Sequence, residues 1–452
     1  MIKNKEEIKR ELKDDISKII DKYVEDMDKN SNEEKFPIDK IERMLGGIIG
    51  ESKKVIIDKT TELLSNIDEE NEIKKTEYAE SGIKLQNHGM RNIQITTLYG
   101  KLEIERTMLY DRKTKESVMP KDEYIEITGL PFAMTKAMMT ETAFYGQNQT
   151  SFGAASDMIQ RAMGLEINRE TVRQVSEYVG GKVHDMDTER ANEAYRNAGE
   201  IESADGRGGT LYIMMDGATV NTRIEDEAGS TWRENKLVLV FSDRYILEQK
   251  NRNNIILKKE YAAYVGSVDE FKKHVYRAAL ENEYGAYEQV VVIGDGATWI
   301  RNMCNELFPN AQQILDKYHL CEHIYDYAKT LFNNSADKYT PWAETVIEKI
   351  ENGKVSEALD MIEENAKNSD GAVKLTKYLQ NNMDKIDYKY YEEQGWFVGS
   401  GAIESGNKVV LQRRLKQAGM RWGVDAAQSI VTLRAKWESR LWERDVVGLI
   451  CS

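Results

Sequence analysis

A chain of 452 residues, 40% of them hydrophobic, is long enough for several domains with real cores. No run approaches the ~18–20 apolar residues of a membrane span. The charged start MIKNKEEIKRELKDD is unlike a signal segment, and Cys304, Cys321 and Cys451 form neither a CxxC pair nor a disulfide framework. A soluble protein of a reducing cytoplasm, with no membrane partner, is expected. The net charge of −14 argues against a nucleic-acid partner only if it is evenly spread. It is not: Met1 to Glu80 carries 16 basic and 22 acidic residues, whereas Gly406 to Arg440 carries eight basic residues against Asp425 and Glu438.

In chain order, residues 1–85 have helical apolar spacing and few breakers, which predicts a helical N-terminal region. Within residues 86–130, RNIQITTLYGKLEIERTMLYDR alternates apolar and polar residues on both sides of Tyr99-Gly100, the pattern of a small β-hairpin. Residues 131–205 return to helix. There TSFGAASDMIQRAMGLEINRETVRQVSEYVGG predicts one helix from Phe152, a turn at Gly164, an N-cap at Asn168 and a second helix through Val172 and Val175. Helix, short turn and helix is the outline of a DNA-reading helix-turn-helix, with Arg169, Thr171, Arg173 and Gln174 near the start of the second helix. A plain helical hairpin has the same pattern.

A glycine-rich joint from Asp205 to Gly209 leads into mixed α/β texture over residues 206–332. Leu211 to Met215, Leu237 to Phe241, Val290 to Ile293 and Gln313 to Leu315 read as strands, Val268 to Glu281 and Ala297 to Glu306 as helices. Residues 333–395 are helical and acidic without a strand signal, as an insertion would be, and residues 396–452 return to the core with a turn and a basic helix.

Three carboxylates stand out. LYIMMDGAT ends an apolar run on Asp216 and VVVIGDGATWI ends another on Asp295, each followed by a glycine that permits a sharp exit. Two buried strands ending this way bring two carboxylates together at one sheet edge. Glu404 lies in GSGAIESG at the head of a segment carrying Lys408, Arg413, Arg414, Lys416, Arg421 and Trp422, side chains suited to a DNA backbone. Oxygen ligands of this kind suit Mg²⁺ or Mn²⁺, and an ion pair ~3.5–4 Å apart serves phosphoryl transfer. In LDKYHLCEHIYDY, His319 and His323 share a helical face but lack the third ligand of a zinc site. A strand-end Asp316 followed by a His that hydrogen-bonds near the active site is the better reading. There is no Walker A loop, no GxGxxG and no nucleophile elbow, so no nucleotide cofactor is expected.

Together these segments resemble the DDE transposases of bacterial insertion sequences, in particular the ISKra-type group allied to the Mutator-like superfamily. MMDGATV resembles that family's first Asp segment, WRENKLVLVF from Trp232 the strand pair that follows it, VVVIGDGATWIRN its second Asp segment, and Asp316-Lys-Tyr-His its Cys/Asp-x-x-His signature. VGSGAIESGNKVVLQRRLKQAGMRW resembles its Glu segment. The resemblance covers roughly Thr210 to Glu443. It implies a ribonuclease-H-like core (206–332 and 396–452) split by an all-helical insertion. The 109 positions from Asp295 to Glu404, against 79 from Asp216 to Asp295, leave room for one. It further implies that Asp216, Asp295 and Glu404 hold two divalent ions, with His319 positioning a phosphate or a carboxylate. The implied partners are double-stranded DNA, as element ends and target, and a second copy of the chain on that DNA; the implied place is the cytoplasm, at the nucleoid. Metal-dependent strand cleavage and 3′-OH strand transfer is the expected activity. A DNA-binding regulator or inactive remnant on the same fold, and a structure-specific nuclease, are the alternatives.

Overall fold

The structure is a computed structural model describing residues 5–32, 35–65, 85–197, 208–226, 228–250, 254–364 and 369–452. Residues 205–207 of the expected glycine joint lie outside the described residues. The chain forms two compact units, one of residues 1–145 with 153–175 and residue 451, the other of residues 146–152 with 176–450 and residue 452.

In the first unit, α1 (Lys5–Ser31) packs on α2 (Ile38–Ser65), and α2 packs on the antiparallel sheet of β1 (Leu85–Thr97), β2 (Gly100–Asp111) and β3 (Ser117–Val118). The expected hairpin is present, with Thr97 opposite Gly100. After α3 (Pro120–Tyr124) and α4 (Lys136–Asn148) come α5 (Phe152–Met163) and α6 (Arg169–Arg196). Asn168 caps α6 as its sequence position suggests, its Oδ1 accepting the Thr171 N–H at 2.9 Å. The α6 helix runs unbroken to Arg196, far beyond the short second helix of a helix-turn-helix, because nothing in it removes a backbone donor.

The second unit is built on β4 (Thr210–Asn221), β5 (Trp232–Ser242), the small pair β6 (Ile246–Leu247) and β7 (Ile255–Ile256), and β8 (Lys259–Val265), followed by α7 (Val268–Glu281). Next come β9 (Gln289–Gly294), α8 (Thr298–Leu307) and β10 (Gln312–Leu315). Five strands form one mixed sheet in the order β10-β9-β4-β5-β8, with β5 antiparallel to both neighbours and β4, β9 and β10 parallel. Strand β8 is not among the strands expected from sequence, since KEYAAYV lacks the texture of a buried strand. Its Glu260 is tolerated inside because Arg277 meets it at 3.0 Å.

Period-two alternation sorts the core. Leu211, Ile213, Met215, Val238, Val240 and Val292 face α7 and α8, while Tyr212, Met214, Leu237, Leu239, Val291 and Ile293 face the other side. That second side is covered by α9 (Lys317–Leu331), the helices α10 (Ala336–Glu351), α11 (Val355–Glu363), α12 (Asp370–Asn381) and α13 (Tyr388–Glu393), and the C-terminal helices. The last of these are α14 (Gly401–Gly406), which continues through a π-type turn at Asn407–Gln412 into α15 (Arg413–Leu415), then α16 (Val424–Glu438); the short α17 (Gly448–Cys451) follows. The helical excursion starts at Lys317, directly after β10, rather than near residue 333, and its two ends are tied together: the Lys317 N–H donates to the Val398 carbonyl at 3.0 Å. No helix among the described residues is long and apolar enough to cross a membrane.

Candidate active site

Register decides where the two aspartates go. β4 and β9 run parallel with Met214 opposite Ile293, so two residues further along, Asp216 and Asp295 fall at the same level. By the same alternation both follow the side of the sheet that carries Tyr212, Met214, Val291 and Ile293. One expectation needs correcting. Asp216 does not end its strand, because β4 continues to Asn221 in antiparallel partnership with β5; only the parallel pairing with β9 stops at Met214. The two Asp-Gly pairs therefore differ. Gly296 turns the chain in the left-handed region (φ +87°), and a Cβ there would stand 2.8 Å from Leu315 Cδ1, so glycine is required. Gly217 stays in the extended strand.

His319 reaches the same edge from β10. The Asp316 N–H donates to the Gly294 carbonyl at 2.8 Å, and the Asp316 carboxylate caps α9 by accepting the Tyr318 and His319 N–H groups at 3.1 and 3.3 Å. That fixes the first turn of α9 beside β9. One ligating atom from each of Asp216, Asp295 and His319 lies within 4.8 Å of the others. His323, one turn further along the same helix, packs its ring against Tyr378 at 4.6 Å.

Glu404 stands on α14, which crosses the sheet closely. At Gly406 a Cβ would come within 2.6 Å of Tyr261, so only glycine lets the helix approach. Glu404 is not one of the three clustered ligands. It lines, with Asp216, Glu234, Asn407, Lys408, Gln412 and Lys416, a cleft of about 540 Å³, and its Oε1 lies 2.8 Å from Ser400 Oγ. Asp216 itself is gripped on both oxygens, by the Gly217 N–H at 2.7 Å and by the Asn407 side-chain amide at 2.5 Å. Asp295 accepts the Ala297 N–H at 2.8 Å, while the Tyr378 hydroxyl donates to its backbone carbonyl at 2.9 Å.

Burial raises the Asp216 pKa above the ordinary carboxylate value; the Gly217 and Asn407 hydrogen bonds pull it down, and the nearby Asp295 charge pushes it up further. A divalent cation relieves such a penalty by supplying the missing positive charge. Two carboxylates and an imidazole at this spacing fit one such ion, and the buried Oδ1 of Asn407, with no hydrogen-bond partner among the described residues, adds an orphaned oxygen next to Asp216.

The basic segment separates into two populations. Lys408, Gln412 and Lys416 recur every four residues and line the cleft, and Arg413 and Arg421 are exposed. Arg414 and Trp422 are not available to a DNA backbone as expected, being 1% and 6% exposed. The Arg414 guanidinium lies over the Phe152 and Trp422 rings at 4.3 and 5.0 Å, and its Nε donates to the Gly146 carbonyl. The Trp422 indole N–H donates to the Leu415 carbonyl. Arg414 sits on α15 beside the buried Leu415, and Trp422 lies between α15 and α16, where its backbone N–H donates to the Asn221 carbonyl at the end of β4. On α6, Arg169 and Gln174 are exposed, and Arg173 and Gln174 reach back to Glu170. Asn407 and Ser400 are not evident as site residues from sequence; their only signal is a spacing of one helical turn on either side of Glu404.

A mixed α/β protein with a cleft of converging carboxylates at the edge of its sheet is what fold and site define. The chain belongs to the uncharacterised protein family UPF0236, whose profile matches residues 31–444. No curated protein matches the sequence.

Proposed function

We propose that the chain is a metal-dependent DNA transposase of the DDE type on a ribonuclease-H-like core, cutting at the ends of a mobile element and joining the freed 3′-OH to target DNA. The observation that carries this reading is the convergence of Asp216 and Asp295, from adjacent parallel strands, in one cluster with His319, with Asp216 also lining the cleft that Glu404 borders. The strand order supports the fold assignment. Numbered within the sheet from β4, it is 3-2-1-4-5 with only the second strand reversed, the arrangement expected of a ribonuclease-H-like core.

Asp216, Asp295 and His319 would hold one divalent ion, and Asp216 with Glu404 a second. Bound there, such ions supply charge neutralisation for an in-line displacement at phosphorus. The chain's own groups do the rest. Asn407 and the Gly217 N–H hold both Asp216 oxygens, and the Ala297 N–H holds Oδ1 of Asp295. Lys408, Gln412 and Lys416 border the cleft on one side, where a phosphate backbone needs positive and hydrogen-bonding partners. Arg169, Arg173 and Gln174 at the start of α6 are the proposed contacts to the element's ends, and a homodimer on DNA would pair two ends.

The test is incubation of the purified chain with labelled duplexes of its element's terminal repeats and Mn²⁺ or Mg²⁺. Strand cleavage and joining by the wild-type chain, lost in Asp216→Asn and Glu404→Gln, is the expected result. Cleavage that persists in both variants defeats the proposal, and cleavage without joining favours a nuclease.

A further inference from the structure

We infer that Ser400, braced by Asp316, is a positioning residue that sets the Glu404 carboxylate, an inference resting on the metal-dependent reading of the cleft. It starts from an anomaly. Asp316 is 0% exposed and has no ion pair among the described residues. A buried carboxylate without a counter-charge is costly unless its oxygens are saturated with donors. Capping α9 needs only one acceptor, and Ser, Thr or Asn would supply it. Asp316 has lone pairs to spare, and Ser400 takes them. Its backbone N–H donates to Oδ1 at 2.9 Å, and its Oγ lies 2.7 Å from Oδ2. The residue before the helical excursion thus clamps the residue that ends it.

Ser400 in turn stands 2.8 Å from Glu404 Oε1, the one hydrogen bond to that carboxylate among the described residues. A hydroxyl has a single proton, so Ser400 donates to Asp316 or to Glu404 at any moment. Its backbone N–H keeps it seated on Asp316 in either case. The hydroxyl is therefore free to fix Glu404 without the clamp letting go. Asp316 governs three elements at once: the head of α9 with His319, the return of the chain at Ser400, and through Ser400 the side chain of Glu404 on α14. Such supporting hydrogen bonds hold ligating carboxylates in orientation, and their loss typically costs ~10–100-fold in metal affinity or activity.

The experiment measures Mn²⁺ binding to the full chain by calorimetry without DNA, and kcat and KM on an element-end duplex. Ser400→Ala is expected to weaken Mn²⁺ binding about tenfold and to lower kcat about tenfold, with KM for DNA close to wild type and a modest fall in melting temperature as Asp316 Oδ2 loses a donor. Ser400→Thr, which keeps the hydroxyl, is expected to restore both. Wild-type Mn²⁺ affinity and kcat in Ser400→Ala, or equal loss in the Ala and Thr variants, overturns the inference while leaving the reading of the cleft intact. A wild-type chain that neither binds Mn²⁺ nor cuts removes the reading, and the inference with it.

Discussion

Two clusters of charged side chains in the sheet-bearing unit use the same residue types to opposite ends. Beneath α16, Lys436 Nζ meets Asp187 at 2.7 Å and Asp445 at 2.8 Å, Arg444 caps Asp445 at 2.6 Å, and Arg277 joins Glu260 and Glu281 at 3.0 and 2.9 Å. Burial alone would raise the Asp445 pKa, but the hydrogen bonds and charges of Arg444 and Lys436 outweigh it and hold this carboxyl well below the usual range. At the candidate site, Asp216, Asp295 and Glu404 have no Lys or Arg partner within ion-pair distance among the described residues, and Asp216 is shifted the other way. Even Glu234, which borders the cleft, is matched by Lys236 at 2.7 Å. Burying charge with its counter-charge builds scaffold. Converging charge without one leaves a demand that a bound cation meets.

The contrast breaks first under substitution at the two clusters. Asp216→Asn or Asp295→Asn is expected to cut strand cleavage by about 10³-fold or more, equivalent to about 4 kcal/mol of transition-state stabilisation. Thermal stability should hold or rise, since a repulsive buried charge has gone; a melting temperature that falls by many degrees would place these aspartates in the scaffold class. Lys436→Met should do the reverse. It leaves Asp187 without its cation, while Asp445 keeps Arg444 and Arg190, a loss of about 3 kcal/mol in stability, read as a drop in denaturant midpoint. A variant that folds with the wild-type midpoint removes the network from the scaffold.

Much of this contrast is present in the sequence, though unequally. The apolar runs LYIMMD and VVVIGD mark two buried strands that each lead into a carboxylate, but the face that Asp216 and Asp295 share is set by the β4–β9 register. That β4 and β9 are neighbours depends on the whole sheet order, which local pattern does not contain. His319 is legible as a residue near the site, but its membership of the cluster depends on Asp316 turning α9 directly off β10. For Arg414 and Trp422 the charge count misleads. A guanidinium packed against two aromatic rings looks, in sequence, like any exposed arginine beside a tryptophan. Strand β8 is hidden for a related reason, since its glutamate is neutralised by an arginine on α7 that is distant in sequence.

Acid should reach the scaffold through His274. Burial, helped by the Arg277 charge and by the His184 ring stacked at 5.8 Å, drives the His274 pKa from 6.5 down to about 3, so the folded chain keeps this imidazole neutral. The unfolded chain takes up a proton near pH 6.5 and the folded chain does not. Stability from His274 is therefore complete above pH 6.5 and is lost progressively as the pH falls toward 3. A melting temperature that declines over this window in the wild type, and declines less in His274→Gln, is the expected result. Equal slopes would assign the acid sensitivity elsewhere.

The smallest effect separates the two populations of basic residues. If Lys408 and Lys416 each neutralise one phosphate, replacing either with Ala lowers the slope of log K against log salt by about 0.9, with little change in stability. Arg414→Ala touches no phosphate in this arrangement. It removes a guanidinium packed against Phe152 and Trp422 and should lower the denaturant midpoint while leaving the salt slope unchanged. The two measurements cross: a lysine that moves stability, or an Arg414 variant that moves the salt slope, shows that the charge assigned to the groove and the charge assigned to the core have been exchanged. Because Lys416 and Arg414 are two positions apart on one short stretch, the distinction rests on which way each faces rather than on net charge, and only paired measurements on the same DNA resolve it.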